Sequence, residues 1–373
     1  MNSLLKAVAG SGILLVSQIA LAAPLFRLTG VGNFPGGSPY SQSRAISNDG
    51  QMVGQASSSS GSHAFRRTSA GVLEDLGDLP GGPSTSFAWD INSSGQVAGY
   101  STATTGSRAF LWTPGVGMQN LGDLPGGDDS SRASGLNDAG VVVGSSEATS
   151  GTRAFRWTSA GGVQDLGALP GSAQSGANAI NNSGQIVGTS RVSGSERAVL
   201  WSSSGAIQNL GTLPGHGGSE GNAINDVGHV VGNSGNLSVD HHAFLWTPSG
   251  GMEDLGALPG ATRSSPFGIN SFDAVVGASN ASMGSFLVNN AFLWSRDDGM
   301  LDLNDLVDDS ADGWHLREAR EINDAGQIVG WGFDPEGNQR AFLLTPVPEP
   351  SSIALALVGL VGFVAYARRR LPA

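Results

Sequence analysis

Residues 179–215 contain the stretch of sequence that decides the fold, and they read AINNSGQIVGTSRVSGSERAVLWSSSGAIQNLGTLPG. Four short strand-like runs alternate here with clusters of Gly, Asn and Ser, which are typical turn residues. Asn181 and Gly184 stand at the first and fourth positions of one such cluster, the pattern of a type I turn that closes a hairpin. The stretch therefore predicts four β-strands joined by tight turns.

The same unit recurs seven times along the chain. A dipeptide that opens the third strand marks each copy, and its positions are Ala64-Phe65, Ala109-Phe110, Ala154-Phe155, Ala198-Val199, Ala243-Phe244, Ala291-Phe292 and Ala341-Phe342. A Gly-x-Val-x-Gly run such as residues 95–99 keeps the same spacing. Four strands in ~45 residues is the size of a β-propeller blade.

The third strand of most units carries Phe and Trp two positions apart, so both side chains point to one face of the strand. The equivalent tryptophans are Trp112, Trp157, Trp201, Trp246 and Trp294. An aromatic residue that recurs at a fixed step is typical of a packed core rather than of a binding surface. We therefore expect these tryptophans to lie between neighbouring sheets.

The two ends of the array predict how it closes. Residues 26–30 resemble a fourth strand with no strands before it, whereas the last unit lacks a fourth strand. An open β-solenoid would need distinct capping units, and the array has none. We predict an all-β fold, a seven-bladed β-propeller of four-stranded blades over residues 25–346, closed by pairing of the N-terminal strand with the last blade.

The units resemble HAF repeats, which are named for the His-Ala-Phe of the aromatic strand. His63-Ala64-Phe65 and His242-Ala243-Phe244 match this motif literally, while Arg108, Arg153 and Arg340 replace the histidine in other copies. The resemblance covers nearly all of residues 25–346. It implies an extracellular setting and brings no established activity, and the exchange of His for Arg indicates that this histidine is not catalytic.

Composition excludes several kinds of chemistry. The chain has no cysteine, and its single lysine is Lys6, so thiolate metal sites, cysteine nucleophiles and lysine-based P-loop or Schiff-base chemistry are excluded from the body. The formal net charge is -12. A body this acidic repels nucleic acid and anionic lipid, so we expect no nucleic-acid partner.

Residues 1–22 have the order of a secretory signal peptide. A polar region with Lys6 is followed by an apolar run and by Ala20-Leu21-Ala22, whose small first and third residues fit a signal-peptidase site. We expect cleavage after Ala22 by signal peptidase. A retained membrane anchor is the alternative.

Residues 347–373 have the order of a sorting tag. Pro348-Glu349-Pro350 precede an apolar run over residues 353–367 and then Arg368-Arg369-Arg370. This order resembles the PEP-CTERM tail of Gram-negative secreted proteins. The resemblance implies a transient helix in the inner membrane, processing by an exosortase near Pro348 to Pro350, and release to the cell surface or the extracellular matrix. A permanent C-terminal anchor is the alternative.

Two segments depart from the repeat, and function on a repeat fold usually resides in such departures. One is the enlarged loop of residues 280–290, and the other is the acidic segment of residues 302–321. Within the second, Asp308, Ser310 and Asp312 follow the start of a calcium loop, although Ala319 stands where an EF-hand has Glu. A looser Ca²⁺ site is the one cofactor that the sequence suggests, against a solvated acidic loop.

Neither a histidine metal motif nor a nucleophile elbow accompanies the repeats. The unique acidic residues recognised in the sequence cluster in residues 302–321, whereas a catalytic propeller should place them on several blades. We therefore expect a non-catalytic binding or scaffold propeller, with polysaccharide as the candidate partner. The alternative is a secreted glycoside hydrolase or polysaccharide lyase.

Overall fold

The strands that the turn residues delimit form seven separate sheets in a computed structural model, which describes residues 26–236, 240–283 and 286–347. β1 (Phe26–Val31) comes first, and blade 1 then contains β2 (Ser41–Ile46), β3 (Met52–Ser57), β4 (Ser62–Arg67) and β5 (Leu73–Asp75). Blade 2 contains β6 (Ser86–Ile91), β7 (Val97–Thr102), β8 (Ser107–Thr113) and β9 (Gly117–Asn120). Blade 3 contains β10 (Ser131–Leu136), β11 (Val142–Ala148), β12 (Gly151–Thr158) and β13 (Gly162–Asp165).

The remaining blades keep the same order of four antiparallel strands. Blade 4 contains β14 (Ser175–Ile180), β15 (Ile186–Val192), β16 (Ser195–Trp201) and β17 (Ile207–Gly211). Blade 5 contains β18 (Ser219–Ile224), β19 (Val230–Asn236), β20 (Asp240–Thr247) and β21 (Gly251–Gly256). Blade 6 contains β22 (Arg263–Ile269), β23 (Val275–Met283), β24 (Phe286–Ser295) and β25 (Gly299–Asp302). Blade 7 contains β26 (His315–Ile322), β27 (Ile328–Phe333) and β28 (Gln339–Pro346).

The fourth strand of blade 7 is β1, which pairs antiparallel with β28 so that Phe26 faces Pro346 and Val31 faces Ala341. This pairing closes the ring and confirms the predicted seven-bladed β-propeller of four-stranded blades. Two short 3₁₀ helices, Leu303–Asp305 and Asp309–Ala311, lie between β25 and β26. The backbone of this connection brackets β1, because Phe26 donates to the Leu306 carbonyl at 2.8 Å and its own carbonyl accepts from Asp308 at 2.8 Å.

The core lies between successive blades. In one cluster Phe155 and Trp157 of blade 3 pack against Ala98 and Leu111 of blade 2, and Trp201 of blade 4 is fully buried in another. Burial of one such aromatic side chain is worth ~3 kcal/mol. The expectation that the third-strand aromatics belong to the core is therefore confirmed.

The last glycine of the Gly-x-Val-x-Gly run allows the first and second strands to approach closely. A Cβ atom on Gly99 would lie 1.9 Å from the Phe87 carbonyl oxygen of β6 and 2.9 Å from the Phe110 ring of β8. Neither atom belongs to a flexible side-chain end, so no side chain fits at this position. The motif is thus a packing requirement between the inner strands and the aromatic strand.

Serines at the start of the first strands connect each blade to the preceding blade by hydrogen bonds. Ser86 Oγ of blade 2 accepts from the Ala64 backbone N–H at 2.8 Å and donates to the Gly77 carbonyl at 2.5 Å, both in blade 1 or its connector. Ser41 makes the equivalent bonds to Ala341 and Val31, at 3.0 and 2.8 Å, across the closure. Hydrogen bonds thus repeat around the ring and include the junction of the two chain ends.

Candidate functional site

A β-bulge in every first strand shapes the central channel. In each blade the register between first and second strand shifts three residues before the Ser or Asn that follows the first strand, and blade 7 has a second shift at Arg317. The bulged residues, which we call the bulge ring, are Arg44, Trp89, Ser134, Asn178, Asn222, Phe267 and Arg320. All seven line one cavity of about 370 Å³ on the propeller axis. A bulge places consecutive side chains on one face, so the residue that follows each bulge residue also faces the axis in several blades.

Three members of the bulge ring bond to the next blade. Ser134 Oγ donates to the Ala177 carbonyl at 2.6 Å, Asn178 Nδ2 to the Gly221 carbonyl at 2.8 Å, and Asn222 Nδ2 to the Pro266 carbonyl at 2.8 Å. These bonds satisfy buried backbone acceptors and tie blades 3, 4, 5 and 6 together. These three bulge-ring residues therefore hold neighbouring blades together.

The other four members break this pattern in consecutive blades, from blade 6 through blades 7 and 1 to blade 2. The Arg320 guanidinium carbon lies 4.1 Å from the centre of the Phe267 ring, and that of Arg44 lies 4.5 Å from the Trp89 ring. Two cation–π pairs therefore line one side of the cavity. A ligand that entered the cavity would meet charged planar donors and aromatic rings on this side and amides on the other.

Arg44 and Arg320 each have few hydrogen-bonding or ionic partners. Arg320 Nη2 forms an ion pair with Glu318, whose Oε2 also accepts from Trp331 Nε1 at 2.9 Å. Arg320 Nε is buried and has no hydrogen-bond partner among the described residues. Arg44 Nη2 makes a long bond of 3.4 Å to Gln42 Oε1. Burial lowers the pKa of Arg44, and burial together with the charge of Arg44 lowers the pKa of Arg320 to about 10.

Two carboxyl groups lie deeper in the channel, at the position that follows the bulge residue. Asp90 of blade 2 accepts from the Leu136 N–H at 2.7 Å and from its neighbour Ile91 at 2.8 Å, and Glu321 of blade 7 accepts from Ile322 at 3.1 Å. Burial raises the pKa of Asp90 to about 7. Burial and the charge of Asp90 raise the pKa of Glu321 well above its usual range.

A third carboxyl group stands at the side of the cavity opposite the arginines. Glu220 of blade 5 lies 3.4 Å from Asn178 Nδ2, and burial raises its pKa. Asn233 of the second strand pairs directly with Glu220. Its Oδ1 is buried and lacks a hydrogen-bond partner among the described residues. Two residues that line the cavity, Asn233 and Arg320, thus each carry a buried polar atom without a hydrogen-bond partner among the described residues.

A ring of amides closes the far end of the first strands. Each asparagine that ends a first strand donates Nδ2 to the equivalent carbonyl in the next blade, at 3.0 to 3.3 Å. The donors are Asn92, Asn137, Asn181, Asn225, Asn270 and Asn323. The predicted turn is present, because Gly184 N–H donates to the Asn181 carbonyl at 3.0 Å. These asparagines therefore form turns and also join the blades around a smaller cavity of about 200 Å³.

The channel acids lie mostly outside the acidic segment that the sequence predicts. Asp90 and Glu220 are not among residues 302–321, and Glu321, at the end of that segment, faces the axis. Alignment of the seven units on their Ile-Asn pair would have shown that Asp90 and Glu321 occupy a position that is Ala or Gly in the other five. Strand alternation alone would have assigned them and the bulge residues to opposite faces.

The predicted calcium-loop residues lie away from the channel, beside β1. Asp308 caps a 3₁₀ helix by accepting from the Ser310 N–H at 3.0 Å, and Arg27 Nε lies 3.6 Å from its carboxylate. Ser310 Oγ accepts from the Leu28 N–H at 2.7 Å, and Asp312 follows the helix. The residues that the structure describes contain no cluster of three or more His, Asp or Glu placed to hold a metal ion. A Ca²⁺ site here stays a prediction.

The histidine of the His-Ala-Phe motif has a structural partner. His63 Nδ1 lies 2.9 Å from Asp75 of the fourth strand, and His242 Nδ1 lies 2.9 Å from Asp254. In blade 3, Arg153 Nε makes the same contact to Asp165 at 3.2 Å. In blades 1, 3 and 5 a His or an Arg at this position therefore contacts an aspartate of the outer strand, whereas Arg108 pairs with Asp129 and Arg340 with Asp334.

The proposed address segments lie outside the described residues. These are the cleavage-site residues Ala20 and Ala22 and the sorting-signal residues Pro348, Glu349, Pro350, Arg368, Arg369 and Arg370. Within 26–236, 240–283 and 286–347, no helix has the length and apolar character needed to cross a membrane.

Comparison with known proteins supports the C-terminal address and the fold. Residues 346–370 match the PEP-CTERM protein-sorting motif, so the chain carries an exosortase sorting signal and is an exported protein. No curated protein matches it in sequence. Virginiamycin B lyase from Staphylococcus aureus is similar in structure, with a TM-score of 0.56, 15% identity, and coverage of 86% of this chain and 100% of the lyase. A streptogramin B lyase has a TM-score of 0.55, 13% identity, and coverage of 87% and 98%. At these identities the likeness concerns the fold.

Proposed function

We propose that this exported propeller is a non-catalytic binding protein of the cell surface or extracellular matrix, and that it holds a polysaccharide segment in the bulge-ring cavity. The observation that carries the proposal is the departure of Phe267, Arg320, Arg44 and Trp89 from a ring whose other members tie blades together. Residues that do not serve the fold and converge on a cavity are the default ligand site.

The chemistry of the cavity suits a sugar. Sugar rings have apolar C–H faces and hydroxyl edges, so they need flat aromatic or guanidinium surfaces together with convergent hydrogen-bonding groups. The cavity supplies the first with Trp89 and Phe267 and the second with Asn233, Arg44 and Arg320. A volume of about 370 Å³ lies at the small end of ligand sites, which favours a short segment or a chain end over a long stretch of polymer.

The address segments give the binding site its setting. The sorting motif at residues 346–370 supports export of the protein. We further propose that an exosortase cuts near Pro348 to Pro350 after a transient stay of the C-terminal helix in the inner membrane of a Gram-negative cell, and that the released body joins a biofilm matrix. The resemblance of the units to HAF repeats, which implies an extracellular setting, supports the same destination.

The test is a glycan-binding screen on the closed ring, residues 24–346, which contains all 28 strands. Calorimetry on each hit, with and without Ca²⁺, should give a weaker affinity for Trp89→Ala and an unchanged affinity for Arg296→Ala, whose side chain is exposed on the outer surface. Equal affinities of the Trp89→Ala variant and the parent ring would remove the cavity from the proposal. Absence of any glycan hit would remove the polysaccharide.

A second candidate function is glycan cleavage, favoured by Asp90 and Glu321. Two deep carboxyl groups with raised pKa values, which face one cavity from different blades, are a starting point for general acid and base catalysis. Release of new chain ends from a polysaccharide, abolished by Asp90→Asn and by Glu321→Gln but retained by Glu196→Gln, would favour an enzyme. Binding without release of chain ends would favour the first proposal.

A further inference from the structure

We infer that Arg44 and Arg320, the arginine pair, form a receptor for the carboxylate of an acidic sugar, so that the ligand of the cavity contains a uronic acid residue. This inference rests on the proposed binding function and specifies its ligand class.

The charge balance on this side of the cavity is positive. Arg44 and Arg320 are the two guanidinium groups that line the cavity, and the charge of Glu318 acts on both. Glu318 forms an ion pair with Arg320 alone. The other carboxyl groups that line the cavity are Asp90, Glu321 and, on the opposite side, Glu220. Asp90 and Glu321 accept from backbone N–H groups, and none of the three forms an ion pair with a guanidinium among the described residues. One ion-paired carboxylate therefore serves two cations.

The donors of the arginine pair are incompletely used. Arg320 Nε is buried and unpartnered within the described part of the chain, and the Gln42 bond of Arg44 is 3.4 Å long. A buried donor without a partner is destabilising, so the free protein carries a cost that a suitable acceptor would remove. A ligand carboxylate has two oxygens in the geometry that a guanidinium fork binds.

Stacking holds the forks in place before a ligand arrives. The Arg44 guanidinium lies over Trp89 and that of Arg320 over Phe267, at 4.5 and 4.1 Å from the ring centres. Immobilised planar side chains lose less conformational entropy on binding than free ones. The arginine pair is therefore pre-organised for a flat acceptor.

The neighbours of the arginine pair favour a sugar acid over a small inorganic anion. Asn233 Oδ1, on the opposite side of the cavity, is a buried acceptor without a partner within the described residues, and it suits a hydroxyl donor. Phosphate or sulfate would occupy the arginines and leave this acceptor and the aromatic rings unused. The acidic chain, with formal charge -12, also disfavours a dense polyanion, whereas one carboxylate on a sugar needs only the local positive site.

The experiment compares one oligosaccharide in two forms. Calorimetry on the closed ring uses a uronic-acid oligosaccharide and its methyl ester, in which each charged carboxylate is replaced by a neutral ester that carries one additional methyl group. We expect the acid to bind about tenfold more tightly or better, a difference of ~1.4 kcal/mol. Arg44→Gln should abolish most of this preference, because the acid loses more affinity than the ester does.

Controls separate folding, charge and ligand source. Arg296→Gln removes an exposed arginine from the outer surface and should keep the preference for the acid. Arg44 makes a single long side-chain bond, so its variant should keep the parent melting temperature even if Arg320→Gln does not fold. Inorganic phosphate and acetate at matched ionic strength should compete at least about tenfold more weakly than the uronate.

Each contrary result of these experiments overturns one specific claim. Equal affinity for acid and ester, or an Arg44→Gln variant that keeps the preference, overturns the carboxylate receptor and leaves polysaccharide binding intact. Phosphate that competes as well as the uronate overturns the sugar acid and leaves an anion site. Failure of every oligosaccharide to bind overturns the proposed function itself.

Discussion

The side-chain amide of Asn323 donates a hydrogen bond of 3.0 Å to the backbone carbonyl of Ser47, which joins the last blade to the first. The ring of amides has six such links, and the missing one would run from Ser47 to the Asn92 carbonyl. Ser47 Oγ instead donates locally, to Asp49 and to the Gln51 carbonyl at 3.1 Å. Blade 1 is thus joined by an amide link to blade 7, but no such link joins it to blade 2 within the described residues.

Replacement of Ser47 by Asn should complete the ring. Asn at this position can accept from the Gln51 N–H, as Asn92 accepts from Gln96 at 3.0 Å, and can donate to the Asn92 carbonyl. We expect the free energy of unfolding to rise by about 0.5–1.5 kcal/mol. Asn323→Ala should lower it by about 1–3 kcal/mol. Urea unfolding at neutral pH measures both, and a Ser47→Asn variant less stable than the parent would contradict the prediction.

Gly99→Ala should destabilise the protein by about 3 kcal/mol or more, because the new methyl group would lie within 2.9 Å of both the Phe87 carbonyl and the Phe110 ring. Gly176→Ala is the matched control on another inner strand. Its Cβ would meet no atom closer than 3.7 Å. Thermal unfolding of the two variants should differ sharply, and equal melting temperatures would show that the inner strands can separate.

Phe26→Ala should weaken the closure of the ring. Phe26 is 3% exposed and belongs to a core cluster with Leu303 and Leu306, so removal of its ring should cost ~3–5 kcal/mol. Arg27 follows on the opposite face of β1 with 71% of its side chain exposed. Arg27→Ala should therefore change the free energy of unfolding by less than about 0.5 kcal/mol. Urea unfolding of the pair tests whether β1 holds the closure.

Asp90 makes stability fall as pH rises. Its pKa is about 7 in the folded protein and near 3.8 when unfolded, so between these values the unfolded chain releases its proton first. The free energy of unfolding should decrease from pH 4 to pH 7 and become level above that range. Asp90→Asn lacks this contribution, and its stability relative to the parent should rise by roughly 2–4 kcal/mol across the interval.

The comparison must allow for Glu321, whose pKa is also raised and which faces the same channel. Measurement in a Glu321→Gln background isolates Asp90 from its neighbour. Parallel pH profiles of parent and Asp90→Asn in both backgrounds would mean that Asp90 ionises as readily in the fold as in the unfolded chain.

Local sequence determined the blades. The alternation of short apolar runs with Asn, Gly and Pro fixes four strands per unit, and the stray strand at residues 26–31 together with the incomplete last unit fixes the closure. These features depend on neighbours along the chain or on a count of units, and both are visible without coordinates. The same holds for the sorting motif at residues 346–370.

Only the tertiary structure decided the candidate site. Arg44 and Arg320 stand at opposite ends of the repeat array, and they meet because ring closure brings blades 7 and 1 together around one axis. The bulge then places the bulge residue and the residue after it, such as Arg320 and Glu321, on the same side of a strand, against the alternation that the sequence suggests. Within its own unit, each such residue is a single departure from the repeat. It becomes part of a site only because the other six blades place their residues around the same axis.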